Sequence, residues 1–332
     1  MSDQTSKDSF ESLSPEVILD AIESQSDLLS DGRLLALNSY ENRVYRVGIE
    51  DGQPLVAKFY RPNRWTEEQI QEEHSFAQEL ADSEIPVVTA MPDKNGSMLR
   101  QSHGYYFALY PMRGGRSPEL DNPQQLEIIG RFIGRIHKVA ETKTFSHRSV
   151  INTPTLGHDS ANYLLDNDRI PTQLTSAYES LIIDLLDKVE DRIEDLQQAP
   201  AIRLHGDFHP GNILWRDEVP HIVDLDDART GPAVQDIWLF LSGDRQYQQA
   251  RLTDLLKGYT QFREFNPAEL TLIEALRTLR MIHYAAWLDV RREEPAFQQA
   301  FPWLASPRYW DDHILELKEQ SAALDEPALK WD

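Results

Sequence analysis

The sequence contains no cysteine among its 332 residues. Disulfide bonds, thiolate zinc sites and a cysteine nucleophile are therefore excluded, and any bound metal must use oxygen or imidazole ligands. Two glycine-rich signatures of phosphate binding, GxGxxG and GxxxxGK[ST], are also missing. If the chain binds a nucleotide, other side chains must contact its phosphates.

Basic residues are scarce, with 33 Lys and Arg against 55 Asp and Glu, for a formal charge of −22. Such a surface repels nucleic-acid phosphates and anionic lipid headgroups, so we expect neither nucleic acid nor membrane as a partner. The charge identifies no substrate, although it would tolerate a cationic one. No run of 18 apolar residues occurs, and the N-terminus lacks the pattern of a signal peptide, which favours a cytoplasmic location.

The chain length is typical of about two domains. In the first third, the residue patterns predict helices over 15–24 and 65–81, and strands over 43–47, 55–60, 87–91 and 105–110. Later they predict a helix that begins at Asn122-Pro123, then helices over 174–197, 233–241, 250–262, 267–291 and 311–324. We therefore expect an α+β chain, with a small antiparallel-sheet N-lobe (1–111) and a large, mainly helical C-lobe (112–332).

The densest group of chemically capable residues lies in the second half of the chain. Asp207 is followed five residues later by Asn212, and Asp224 lies seventeen residues after Asp207, behind two apolar residues. This spacing matches a kinase catalytic loop, in which an Asp accepts the proton of the attacking hydroxyl and an Asn binds magnesium. We therefore predict phosphoryl transfer from ATP, with Asp207 as the base and with Asn212 and Asp224 as Mg²⁺ ligands.

Two other interpretations of this cluster remain open. Asp and Asn are common in turns, so the His-Gly-Asp tripeptide that ends at Asp207 could be structural. His205, Asp207 and His209 also alternate as zinc ligands can. A zinc site would have no further imidazole cluster to complete it, and it would leave the spacing to the later Asn and Asp unexplained.

A kinase also needs a cation on the α and β phosphates, held by a carboxylate. Strand alternation places Lys58 on the face opposite its two apolar neighbours, so its ammonium would point into a cleft. An exposed edge-strand lysine is the alternative. The following helix offers Glu72 and Glu73 as partners, and we favour Glu73 from the positions of the apolar residues that follow it.

The nucleotide phosphates would meet the loop 38–43, just before the first predicted strand. Its small hydroxyl and amide side chains could contact phosphate, with Ser39 preferred, although an ordinary turn has the same composition. Further along, we expect Asp236 to cap an apolar helix and to brace the catalytic loop. His137 is expected to be a packed histidine with no chemical role.

With these residues placed, the chain resembles the aminoglycoside phosphotransferase and choline kinase superfamily, and within it a subgroup of bacterial stress-response kinases. The resemblance spans nearly the whole chain. It is carried by Asn38-Ser39-Tyr40-Glu41-Asn42, Lys58-Phe59-Tyr60-Arg61-Pro62, Glu72-Glu73-His74, 203–215, Asp224-Leu225-Asp226-Asp227-Ala228-Arg229, Gly231-Pro232 and Phe301-Pro302-Trp303-Leu304.

The resemblance implies a bilobal, protein-kinase-like fold. It further implies a monomeric, cytoplasmic serine/threonine protein kinase that uses ATP and Mg²⁺, phosphorylates itself and unidentified proteins, and acts in survival of envelope and oxidative stress. The implied roles are Asp207 as proton acceptor, Asn212 and an essential Asp224 as Mg²⁺ ligands, and Ser39 at the ATP site.

The sequence departs from eukaryotic protein kinases at three points. HGD replaces HRD, Asp-Leu-Asp at 224–226 replaces DFG, and eleven residues separate Asp224 from Asp236. Control by phosphorylation of a conventional activation loop is therefore not expected. The rival functions are a small-molecule alcohol kinase of the choline, homoserine or aminoglycoside type, and a pseudokinase, which would lack some of the residues found here. A second metal at Asp226 stays open.

Overall fold

The computed structural model describes residues 10–194 and 200–331. The strands are β1 (Ser30–Leu37), β2 (Arg43–Ile49), β3 (Leu55–Phe59), β4 (Arg100–Ser102), β5 (Tyr105–Pro111), β6 (Ile202–Leu204), β7 (Ile213–Arg216), β8 (Val219–Ile222) and β9 (Arg229–Gly231). The helices are α1 (Pro15–Ser24), α2 (Glu67–Asp82), α3 (Pro123–Ala140), α4 (Asp159–Asp166), α5 (Thr172–Glu194), α6 (Gln235–Trp238), α7 (Arg245–Tyr259), α8 (Ile273–Val290), α9 (Pro295–Ala300) and α10 (Tyr309–Leu324). None of these helices has the length and apolar character needed to span a membrane.

The first five strands form one antiparallel sheet in the order β1-β2-β3-β5-β4. Alternation along β3 divides its side chains between two surroundings. Leu55, Ala57 and Phe59 pack in the core that α1 covers. Val56 and Lys58, on the other face, line a cleft between the sheet and the helical part. The predicted alternation of this strand is therefore confirmed.

Helix α2 begins at a capping box, in which the Thr66 hydroxyl accepts a hydrogen bond from Gln69 N–H and the Gln69 side chain accepts one from Thr66 N–H. Its buried face includes Glu73, Phe76 and Leu80. Phe76 and Leu80 share one hydrophobic core with α3. This burial fixes α2, and Glu73 with it, against the helical part of the chain.

Helices α3 and α7 cross closely because α3 carries two glycines at the crossing. A Cβ atom on Gly130 would lie 1.9 Å from the Leu255 carbonyl oxygen, and one on Gly134 would lie 2.5 Å from that of Tyr259. A larger residue at either position would force the helices apart. The crossing supports the loop that carries Asp207 from below, since α3 carries His137 and α7 ends at Tyr259.

The predicted α+β organisation is confirmed, with a small antiparallel sheet followed by a mainly helical region. The boundary between 1–111 and 112–332 stays a prediction, although β5 ends at Pro111. The last three residues of the helix predicted over 174–197, like residues 1–9 of the N-lobe, lie outside the described residues.

Some element predictions are wrong. Segment 87–91 is not a strand of the sheet: Val87 forms only an isolated bridge with Ile222, in the other lobe. Prolines on both sides of the segment limit strand pairing there. Strand β1 was not predicted, the helix expected over 233–241 is the four-residue α6, and a 3₁₀ turn over Pro267–Leu272 precedes α8.

Candidate active site

The loop that carries Asp207 follows β6 and lies against the turn that carries Asp226 and Asp227. Gly206 has φ of +85°, and a Cβ atom there would lie 2.1 Å from the Asp227 carbonyl oxygen. Only glycine accepts both the left-handed backbone and this close approach. The glycine of the His-Gly-Asp tripeptide therefore brings the two acidic loops into contact.

Asp236 holds this loop from inside the protein. Its carboxylate accepts hydrogen bonds from the backbone N–H groups of His205, at 2.8 Å, and Gly206, at 2.9 Å. The same carboxylate lies 3.2 Å from Nε2 of the fully buried His137, and Tyr259 contacts Nδ1 of that ring. Burial lowers the pKa of His137, against the opposing effect of Asp236, so we expect a neutral ring that donates to Asp236.

These contacts agree with the expected bracing by Asp236 and with the packed state of His137. The other part of the expectation for Asp236 is wrong, since no side-chain hydrogen bond caps α6.

Both carboxylate oxygens of Asp207 have cationic or imidazole neighbours. Arg280 Nη1, on α8, donates a hydrogen bond to Oδ1 at 2.8 Å, and His209 Nε2 lies 3.5 Å from Oδ2. Burial by itself would raise the pKa of Asp207, but His209 and Arg280 together lower it below its usual value. Asp207 is therefore ionised at neutral pH, the state that a general base requires.

Asn212 lies at the end of the same loop. Its side-chain Nδ2 donates to the Asp207 carbonyl oxygen at 2.9 Å, and its own carbonyl oxygen accepts from Val223 N–H at 3.1 Å. The first contact fixes the amide orientation, so that the side-chain oxygen is left for a cation. The second contact brings the chain just before Asp224 next to Asn212.

Asp224 follows β8 with a left-handed backbone, at φ of +63° and ψ of +63°. Such a conformation is uncommon outside glycine and is frequent at functional sites. Its side chain is 53% exposed and its Oδ1 lies 2.9 Å from Lys58 Nζ. The carboxylate therefore faces the cleft instead of being buried with its neighbours.

Lys58 is buried among three carboxylates. Its Nζ lies 2.9 Å from Asp224 Oδ1, 3.1 Å from Asp226 Oδ1 and 3.6 Å from Glu73 Oε1. The contact with Asp226 is an ion pair without hydrogen-bond alignment. Burial alone would lower the pKa of Lys58, but the three carboxylates raise it well above its usual value. The ammonium is therefore charged, as a phosphate ligand must be.

The two candidate partners of Lys58 have different contacts. Glu73 contacts Lys58 directly, whereas the Glu72 carboxylate accepts hydrogen bonds from the backbone N–H groups of Ser146 and His147, at 2.6 and 2.9 Å. Glu72 thus attaches α2 to the chain beyond α3.

Arg148, which sequence reasoning missed, connects Glu73 to the loop of Asp226 on the buried side of the site. Its side chain is fully buried and donates to Glu73 Oε2 at 2.9 Å and to the Asp226 carbonyl oxygen at 2.5 Å. No motif surrounds it in the sequence, so no local signal marks it. It ties the carboxylate that holds Lys58 to the loop that carries Asp224.

Ser39 lies in the loop between β1 and β2 and lines the same cleft as Lys58, Asp207 and Asp224. This loop is therefore a hairpin turn of the sheet, although the sequence pattern placed it before the first strand. The cleft encloses about 860 Å³, a volume within the usual range for small-molecule and cofactor sites. Its apolar lining includes Leu37, Val44, Val56, Met112, Leu214 and Val223.

The loop between β1 and β2 also contacts the helical part of the chain. Glu41 accepts a hydrogen bond from Trp287 Nε1 at 2.5 Å and another from Arg291. The Tyr40 ring packs edge-on against Phe301, with centroids 4.7 Å apart. We call this contact region, 40–41 with 287–301, the interlobe bridge. It joins two strings that are far apart in the sequence.

The donor set fits a magnesium ion better than zinc. Within the described residues, no three His, Asp or Glu side chains are arranged to hold a metal ion. His205 Nε2 is committed to the Val223 carbonyl oxygen at 2.9 Å, which does not support a zinc site there. Asn212 and Asp224 could instead supply one oxygen ligand each, as at Mg²⁺ sites completed by phosphates and water.

The sequence profile of the phosphotransferase enzyme family matches residues 33–273. Stress response kinase A of Escherichia coli is 42% identical to this chain over 321 residues, which are 97% of this chain and 96% of that protein. The serine/threonine protein kinase RdoA of Salmonella typhimurium has the same identity and coverage. The similarity therefore includes the sheet, the acidic loops and the helical region.

Among solved structures, an amicoumacin kinase in complex with AMP-PNP, Ca²⁺ and Ami superposes with a TM-score of 0.71. The match covers 96% of each chain at 18% sequence identity. At this identity the likeness bears on the fold alone. It confirms the predicted bilobal, kinase-like fold.

Proposed function

This chain belongs to the phosphotransferase enzyme family, and from that premise we propose that it is an ATP- and Mg²⁺-dependent serine/threonine protein kinase. The observation that carries the proposal is the meeting of Asp207, Asn212, Asp224 and Lys58 in one cleft. An ionised base, two oxygen ligands and a charged lysine are the groups that phosphoryl transfer requires. Ser39 in the hairpin loop would add a hydroxyl contact to the nucleotide.

In the proposed reaction, each side chain has one task. Lys58, oriented by Glu73, binds the nucleotide phosphates as a point charge. Asp207 orients the acceptor hydroxyl and takes its proton as the oxygen attacks phosphorus. Asn212 and Asp224 would hold Mg²⁺, which when bound supplies positive charge to the phosphate oxygens. Asp236, through the two backbone N–H groups that it holds, keeps Asp207 in position.

The protein acceptor is proposed from the two bacterial relatives, one of which is named a serine/threonine protein kinase. From the name of the other relative we propose a role in stress response, and from the resemblance in sequence we propose autophosphorylation, a cytoplasmic location and a monomeric state. The positive charge next to Asp207 is consistent with a protein hydroxyl, and not a cationic amino alcohol, as the acceptor. Arg280 already pairs with that carboxylate, so a cationic amino alcohol would have to compete with a guanidinium for it.

A second candidate is a small-molecule alcohol kinase. The observation in its favour is the interlobe bridge, whose Tyr40, Glu41 and Trp287 line the same cleft as Asp207. The similar amicoumacin kinase structure also contains a small molecule beside its nucleotide analogue. On this alternative the acceptor would be an alcohol small enough to fit beneath the bridge.

The test offers both kinds of acceptor to the same preparation. Radiolabelled ATP is incubated with the enzyme and a generic basic protein, and in parallel ATP consumption is measured with a panel of amino alcohols. We expect label on the protein or on the enzyme itself, lowered by a factor of 10² or more in Asp207→Ala. Turnover of an amino alcohol without labelled protein would replace this proposal by the second candidate.

A further inference from the structure

Arg280 lies outside every motif that identified the site, yet it contacts the residue at the centre of the chemistry. It lies on α8, 73 residues from Asp207 along the chain, and donates to Asp207 Oδ1 at 2.8 Å. We propose that Arg280 is a catalytic residue that binds the phosphoryl group while it is transferred. This inference rests on the proposed phosphotransferase reaction but not on the identity of the acceptor.

Five Lys or Arg side chains line the cleft, and four of them, Lys58, Arg64, Arg229 and Arg280, are paired with carboxylates of the acidic loops. The side chains of Lys58, Arg64 and Arg229 are 8, 18 and 16% exposed, and each is paired with buried or partly buried carboxylates. The Arg280 side chain is 46% exposed. Because this side chain is long and about half exposed, its guanidinium can exchange one anionic partner for another while it stays in contact with solvent. Arg280 is therefore the one of these four best able to follow a moving charge.

The position of Arg280 relative to the base defines what it can reach. A hydroxyl that gives its proton to Asp207 lies about 3 Å from that carboxylate. Its oxygen approaches phosphorus to about 3 Å in a reactive arrangement. Because Arg280 Nη1 is 2.8 Å from Asp207 Oδ1, its guanidinium lies beside the place where the phosphoryl group passes from one oxygen to the other.

The chemistry of the step calls for a cation at this place. The bond between the γ-phosphorus and the oxygen that bridges to the β-phosphorus breaks, while a bond forms between phosphorus and the acceptor oxygen. The acceptor proton passes to Asp207, and ADP leaves with the bridging oxygen. Negative charge spreads over the three equatorial oxygens. Arg280 keeps its proton throughout and stabilises that charge with its planar N–H donors.

An activity assay alone would not distinguish two roles of Arg280. If Arg280 acts only through Asp207, it is a positioning residue. If it binds the phosphoryl group, its loss must weaken the complex with a transition-state analogue even where Asp207 cannot act as a base. Binding of ADP and Mg²⁺ with aluminium fluoride, which imitates the transferring group, measures this without any acceptor.

We therefore compare wild type, Arg280→Met and Arg280→Lys for binding of ADP and Mg²⁺ with and without aluminium fluoride, by calorimetry. Arg277→Met is the matched control, because Arg277 lies one turn earlier on α8 and pairs with Glu274. We expect aluminium fluoride to tighten ADP binding in wild type and the control. In Arg280→Met, the factor by which aluminium fluoride lowers the Kd for ADP should be at least tenfold smaller, while the Kd for ADP alone is unchanged. Arg280→Lys should recover part of that factor.

The same comparison is made in an Asp207→Asn background. A further loss on adding Arg280→Met supports direct contact with the transferring group, whereas no further loss overturns it. Equal losses of ADP affinity with and without aluminium fluoride would also overturn it, since they indicate a distorted cleft. If wild type shows no tightening at all, the proposed phosphotransferase reaction fails instead. In turnover with any accepted substrate, Arg280→Met should lower kcat by about 10² to 10³.

Discussion

Lys58 Nζ lies 2.9 Å from Asp224 Oδ1, across 166 residues of chain. The pair joins the third strand of the sheet to the loop after β8. On the proposed function these are the groups that bind phosphate and metal, so each now neutralises the other. On binding, Mg²⁺ would take over the contact with Asp224, and the ATP phosphates would take over the contact with Lys58. Nucleotide affinity should therefore depend on the metal.

The first prediction concerns that dependence. Asp224→Ala removes a proposed Mg²⁺ ligand. The ratio of the Kd for ATP without Mg²⁺ to the Kd with Mg²⁺ should therefore fall by about tenfold or more. Calorimetric titration of ATP with and without Mg²⁺ measures the ratio. Asp217→Ala is the control, because that side chain is 85% exposed on the turn between β7 and β8. An unchanged ratio in Asp224→Ala would remove the residue from the metal site.

The second prediction separates the adjacent carboxylates of α2. Glu73→Gln should raise the KM for ATP by about tenfold, because Lys58 loses the charge that orients it. Glu72→Gln should instead lower the free energy of unfolding by about 1 to 3 kcal/mol, since its carboxylate accepts backbone N–H groups. Urea unfolding and ATP kinetics on both variants give the comparison. The opposite pattern would reverse the two roles.

The third prediction concerns the interlobe bridge. Tyr40→Ala removes the edge-on contact with Phe301, which is worth about 0.5 to 1.5 kcal/mol in comparable aromatic pairs. If the bridge must open for nucleotide to leave, release of a fluorescent ADP analogue should become about two- to tenfold faster, as stopped-flow measurements would record. Tyr247→Ala, at an exposed position on α7, should not alter it. Equal release rates would show that nucleotide leaves by another route.

The fourth prediction concerns acid stability. Burial lowers the pKa of His74 to about 3 and the pKa values of His283 and His313 to about 4, from an ordinary 6.5. The unfolded chain therefore binds more protons below about pH 6.5, so stability should be full above that pH and should fall as the pH drops towards 4. The slope should be at most about 1.4 kcal/mol per pH unit for each histidine.

Urea unfolding at pH 7, 6 and 5 tests this slope. His313→Gln should flatten it, since the lowered pKa of His313 has burial as its cause. The variant would still carry His74, His137 and His283, whose pKa values burial also lowers, so part of the slope should persist. A slope identical to that of wild type would mean that His313 does not titrate differently in the folded and unfolded states.

The candidate chemistry could be predicted from the sequence because its signals are local. Asp207 and Asn212 lie five residues apart in one loop, so their spacing does not depend on contacts with the rest of the chain. The period-two pattern around Lys58 likewise depends only on strand geometry. The same holds for α1 and for the hairpin of β2 and β3, because helix caps, turn residues and strand alternation each involve residues a few positions apart.

Other features depended on partners far away in the chain. Strand β1, with Gly32 and an irregular apolar pattern, is a strand because it pairs with β2. Val87 has strand-forming neighbours, but it pairs with Ile222 of the later part of the chain. Arg148 and Arg280 carry no sequence signal, because what makes them important is the carboxylate that folding brings beside them.

The sequence by itself therefore determined the type of reaction proposed here, the residues proposed as base, metal ligands and phosphate-binding lysine, and the kinase-like class of fold. Tertiary structure alone decided that Arg280 holds Asp207 and that Tyr40 packs on Phe301, and it gave Glu73, which the sequence favoured, its contact with Lys58. The physical reason is that local spacing limits which groups can act together, while a contact between distant residues exists only once the hydrophobic cores have packed.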